Sequence, residues 1–96
     1  MSRPRYDWWG YVKGMLRRYQ TGAVTERERQ AVDKAIQETL SMDCGEERLT
    51  LVGLIYWKRT HTLEGAALQI PVSWRTAAEW HRLFIRAVAK HFGLMD

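Results

Sequence analysis

Cysteine occurs only once in these 96 residues, so no intramolecular disulfide can staple the fold. A lone thiol at Cys44 fits a reducing cytoplasm. No apolar run approaches the roughly 20 residues that a membrane span requires, which argues against a membrane partner. The opening stretch Met1 to Asp7 lacks the apolar core of a signal peptide. His61, His81 and His91 show no repeated metal-ligand spacing, and one cysteine is too few for a zinc site. Gly10 and Gly14 are not followed by the Gly-Lys-Ser/Thr of a phosphate loop. Glu46 and Glu47 are adjacent, so on a helix they point in different directions and suit dipole partners better than an acid–base pair. Neither an enzyme, a cofactor nor a metal site is expected. Strand pairs, internal repeats, low-complexity tracts and long linkers are missing as well.

What is present reads as globular, with 46% apolar and 27% charged residues and five tryptophans. Each tryptophan can bury about 150–250 Å². That helps a chain of this size, which removes only about 60–68% of its unfolded surface from water. A single domain over 1–96 is expected, with an N-terminal helical part (1–45) and a central helix plus two-helix motif (46–96). Charge is segregated along it. Residues 1–20 carry five basic groups and one acidic, residues 21–47 three and seven, and residues 48–96 seven and three. A basic C-terminal half is the footprint expected of a protein that contacts phosphates.

Helical periodicity runs through most of the chain. Asp7 can cap a first helix from Trp8 to about Tyr19, with Trp8, Val12, Met15, Leu16 and Tyr19 on one face and Gly22 beyond its end. Thr25-Glu-Arg-Glu28 is a capping-box pattern. The helix behind it has the apolar stripe Ala31, Val32, Ala35, Ile36 and Leu40 and should reach Ser41 or Met42. Asp43-Cys-Gly45 breaks it. A third helix, led by Glu46 and Glu47 and filled to about Arg59, is apolar nearly all round. It is therefore expected to be the central, most buried element, although Leu51–Trp57 alone would also suit a strand.

The run from Thr62 to Arg82 carries the functional signal. A short helix, a tight four-residue break and a longer amphipathic helix follow one another at helix-turn-helix spacing. Ala67 lets two helices approach, and Ile70 and Val72 plug the turn. Ser73 can cap the second helix, and Ala77 and Trp80 face back to the first. Pro71 stands where glycine is more usual. Phe84 and Val88 continue the core stripe, flanked by Ile85 and Phe92, and Gly93 ends the helix. The outward face carries Trp74, Arg75, Ala78, Glu79 and Arg82, where a recognition helix would meet bases and phosphates. Trp74 should be exposed and could pack on a thymine methyl. Lys58, Arg59 and Thr62 precede the motif and could hold the DNA backbone.

Leu51 to Gly93 resembles the C-terminal half of the RinA/ArpU-like phage transcriptional regulators, which are similar in turn to the C-terminal promoter-reading domain of bacterial sigma factors. The likeness rests on Leu54-Ile-Tyr-Trp-Lys58, Thr62-Leu-Glu-Gly-Ala-Ala67, Val72-Ser73, Thr76-Ala77, Trp80-His-Arg82, Phe84-Ile85 and Val88-Ala89. The N-terminal Tyr6-Asp-Trp-Trp-Gly-Tyr-Val-Lys13 also looks like the opening of short prophage proteins. The resemblance implies a sigma-like activator of late genes that binds double-stranded DNA as a monomer or homodimer. It puts Ser73, Trp74, Arg75, Thr76, Glu79 and Arg82 in the major groove. The acidic second helix (Glu26, Glu28, Asp33, Glu38) is a candidate surface for RNA polymerase. Two other classes compete. One is a small-terminase-like packaging component. The other is an interaction module that docks through Trp8, Trp9, Tyr11 and Trp74 and binds no DNA.

Overall fold

The computed structural model describes residues 8–58 and 62–94. Its elements are α1 (Trp9–Tyr19), α2 (Glu26–Leu40), α3 (Gly45–Val52) running into a π-helical turn (Gly53–Trp57), α4 (Leu63–Gln69) and α5 (Trp74–Phe92). The architecture is all-α with five helices, and no strand occurs among the described residues.

Local chemistry accounts for most helix starts. Thr25 accepts a hydrogen bond from the Glu28 amide at 3.1 Å while the Glu28 carboxylate accepts from the Thr25 amide at 2.9 Å, a complete capping box. Thr62 and Ser73 cap α4 and α5 by accepting from the amides of Gly65 and Thr76. Gly93, with φ of 92°, ends α5 in the left-handed region that a Cβ disfavours. The cap expected of Asp7 lies outside the described residues, and α1 begins behind Trp8 with no side-chain cap.

Three expectations change in the folded chain. The third helix starts at Gly45 and does not continue as an α-helix to Arg59. From Gly53 it widens, and the Lys58 amide bonds to the Gly53 carbonyl five residues back at 2.7 Å. This π turn lets Tyr56 reach the core and lets the Trp57 indole donate to the Leu16 carbonyl of α1 at 3.2 Å. The same segment is not the most buried element, because Leu49, Leu54, Ile55 and Trp57 are only half-buried. α5 takes the central place: it packs on all four other helices and buries Ala77, Trp80, Phe84, Ile85, Val88 and Ala89. Leu40 leaves the apolar stripe of α2 and is 47% exposed, while Thr39 is buried in its stead. The close approach of Gly45 to the Thr39 and Leu40 backbone fixes that last turn.

The apolar interior divides in two. The larger cluster joins Val12, Met15 and Leu16 of α1, Ala31, Val32 and Ala35 of α2, Val52, Tyr56, and the Phe84–Ala89 part of α5. The smaller one, Leu51, Ala66, Ala67, Ile70, Ala77 and Trp80, holds α4 onto the first half of α5. Ile55 packs against both.

Candidate nucleic-acid interface

The four-residue break between α4 and α5 has the shape its residue types dictate. Pro71 favours extended backbone at Ile70, which adopts φ −120° and ψ 136° and closes α4. Ile70 is buried and Val72 half-buried, so the turn is plugged from inside. Ala67 and Ala77 present only methyls where α4 and α5 meet, and Trp80 seals the contact. The Arg48 guanidinium lies 5.4 Å from the centroid of the Trp80 ring and braces it from α3.

With Ala77 and Trp80 turned inward, the opposite side of α5 points to solvent. Trp74 is 52% exposed, and Arg75, Glu79 and Arg82 are exposed beside it. Ala78 is half-buried. Arg75 has no ion-pair partner among the described residues, whereas Arg82 is paired with Glu79 one turn back. Such an exposed pair contributes little stability and exchanges readily for a stronger anion. Ser73 and Thr76 engage each other, the Ser73 hydroxyl donating to Thr76 Oγ1 at 3.0 Å. Their first role is thus to start the helix. Trp74 borders a groove of about 230 Å³ with Glu64, Ala67, Leu68 and Val72, and Leu68 there is 85% exposed.

Other expected contacts lie elsewhere. Lys58 is exposed but borders grooves lined by Leu40, Glu46, Leu49 and Gly53 on one side and Tyr19 and Trp57 on the other, neither lined by a residue of α5. Thr62 is exposed and spends its hydroxyl oxygen on capping α4. Arg59 lies outside the described residues. Of the four aromatics expected as a docking surface, Trp8 and Trp9 are half-buried, which leaves Tyr11 and Trp74 exposed.

The carboxylates of the acidic second helix are all partnered, though Glu28 alone of the four is buried. Glu26 pairs with Arg29 and Gln30, Glu28 with Arg18 and the Tyr11 hydroxyl, Asp33 with Arg29 and the Tyr19 hydroxyl, and Glu38 with His91. Glu28 is buried, and these hydrogen bonds, led by the one from Tyr11, hold its carboxyl down at about 2.

A cluster on the flank of α5 escaped the sequence reading. His81 Nε2 lies 2.6 Å from the Tyr56 hydroxyl, and the two rings stack with centroids 5.7 Å apart. The Trp9 ring meets His81 edge-on at 6.3 Å, and the Arg17 guanidinium lies 5.8 Å from the Tyr56 centroid. Burial, with help from the charge of Lys13, pushes the His81 imidazole down to about 4, so it is neutral at pH 7. Burial pushes the Tyr56 phenol up to about 12. The spacing of Trp9, Lys13 and Arg17, four residues apart, is the one sequence signal that could have revealed this face.

Among the described residues, no group of three or more acidic, histidine or cysteine side chains is disposed to hold a metal. No helix among them is long and apolar enough to cross a membrane. Compared with known protein families, curated proteins and solved structures, the chain shows no match.

Proposed function

We propose that this protein binds duplex DNA in a sequence-dependent way, with α4, the Ile70–Ser73 turn and α5 acting as a helix-turn-helix, and that it regulates transcription. One observation carries the reading. An apolar cluster that includes Leu51 of α3 holds α4 on the first half of α5, and the first turns of α5 meanwhile present Trp74, Arg75, Glu79 and Arg82 to solvent from one side. An α-helix exposed in this manner fits the major groove, with Arg75 and Arg82 available for guanine edges or phosphates and Trp74 for a thymine methyl. The resemblance to phage regulators of the RinA/ArpU type adds support for a transcriptional role.

Fluorescence polarisation with random and candidate promoter duplexes at several salt concentrations tests the reading. Binding should weaken steeply with salt and favour one fragment. Arg75→Ala should cost about 1–3 kcal/mol on the preferred duplex and flatten the preference. Equal losses on preferred and random duplexes would remove Arg75 from base reading. The exposed pair Leu68 and Trp74 favours a second reading, docking of a protein partner. Absence of duplex binding at low salt would select it.

A further inference from the structure

Several cations among the described residues are already engaged. Arg18 bonds to Glu28 and the Ala23 carbonyl, Arg29 to Glu26 and Asp33, Arg27 to the Phe92 carbonyl, and Arg48 to the Asp43 carbonyl. Lys13 and Arg17, like Lys34, Lys58, Arg75 and Lys90, are not held in this way. Lys13 and Arg17 sit one turn apart on α1, outside the α4–α5 pair, and neither has an acidic partner among the described residues. Arg17 is exposed and Lys13 partly so.

Their position relates them to α5. Trp9, on the same line of α1, touches His81, and Arg17 lies over the ring of Tyr56, itself in hydrogen-bond contact with His81. Lys13 is near enough to His81 for its charge to act on the imidazole. On α5, Trp74, Ala78 and His81 follow at spacings of four and three, which places them on one side of the helix. These two cations of α1, without an acidic partner among the described residues, therefore flank the line that begins at Trp74.

We propose that Lys13 and Arg17 form a second DNA contact, gripping the sugar–phosphate backbone of the duplex whose bases α5 reads. The inference rests on the DNA-binding reading above. The chemistry is that of cations with no carboxylate partner among the described residues: an ammonium and a guanidinium offer donors to phosphate oxygens, and Arg17 already lies over Tyr56. Such contacts carry no base information. They add affinity equally on all sequences and release counterions when they form.

The test compares wild type, the double variant Lys13→Gln/Arg17→Gln and the control Lys34→Gln on α2, which is exposed and likewise lacks an acidic partner among the described residues. Polarisation is read on promoter and random duplexes over a salt series, with circular dichroism confirming helix content. The double variant should flatten the slope of log affinity against log salt by about 2, since each phosphate neutralised contributes about 0.9. It should weaken both duplexes by the same factor and leave their ratio intact, while Lys34→Gln leaves the slope unchanged. Wild-type binding with an unaltered slope in the double variant overturns the contact and spares the DNA-binding reading. A per-charge loss as large in Lys34→Gln also overturns it, because net charge alone then explains the effect. Wild type that binds no duplex overturns both.

Discussion

An imidazole removed from water resists protonation, and His81 is in that position, enclosed by Tyr56 and Trp9 with Lys13 nearby. Its folded value of about 4 lies below the ordinary 6.5, so in that interval the unfolded chain binds more protons than the folded one. Its contribution is complete above about 6.5 and is lost as the pH falls through 4. At pH 4 the loss is on the order of 3 kcal/mol. Glu28 acts lower down: held at about 2 against 4.5, its contribution is present above 4.5 and disappears on further acidification. The urea midpoint of the wild type should fall between pH 7 and 4, and fall further below that. His81→Gln should remove the first decline and keep the second. A wild-type midpoint that stays flat from pH 7 to 4 would show that His81 is free to charge in the folded state.

Helix junctions set the next level of constraint. At Gly45 an added Cβ would lie 2.5 Å from the Thr39 carbonyl oxygen and 2.8 Å from that of Leu40, both backbone atoms that cannot swing aside. Gly45→Ala should therefore destabilise by about 1–3 kcal/mol, the usual cost of forcing extra volume into a packed contact. Gly14 is the opposite case, a mid-helix glycine with no described atom within 4 Å of a new methyl. Gly14→Ala should stabilise by about 0.5–1 kcal/mol through helix propensity alone. Thermal melts of the two variants moving in the same direction would contradict this contrast. The comparison also marks the boundary of what the sequence reveals. Thr25 and Ser73 were legible as caps because a cap involves a side chain and an amide three residues away, whereas Thr62, expected to hold the DNA backbone, caps α4 by the same geometry. The π turn at Gly53 and the exposure of Leu40 were not legible, since both depend on which helix arrives from a distance. The candidate interface divides likewise: the outward phase of Trp74, Arg75, Glu79 and Arg82 follows from helical period, whereas Lys13 and Arg17 join them only through the crossing of α1.

The two apolar clusters give the protein an uneven distribution of cohesion. α4 belongs only to the smaller cluster, where three of the six buried residues are alanines and Trp80 is the largest side chain. α5 belongs to both, anchored through Phe84 to Ala89 in the larger cluster and through Ala77 and Trp80 in the smaller. Local opening free energy follows buried apolar contact, so α4 and the first turns of α5 should open before the larger cluster does. Amide hydrogen exchange should accordingly be faster across Leu63–Gln69 than across Val12–Leu16 and Phe84–Ala89. Trp80→Ala, a loss of about 3–5 kcal/mol where a large core side chain is deleted, should accelerate α4 far more than Val12–Leu16. Equal acceleration in both regions would mean that the chain opens as one cooperative unit and that Ile55, which touches both clusters, couples them fully. Unequal acceleration would place the proposed reading helix astride a firm half and a yielding one. In that arrangement α5 keeps its direction through the larger cluster while its exposed end and α4 can adjust to a duplex.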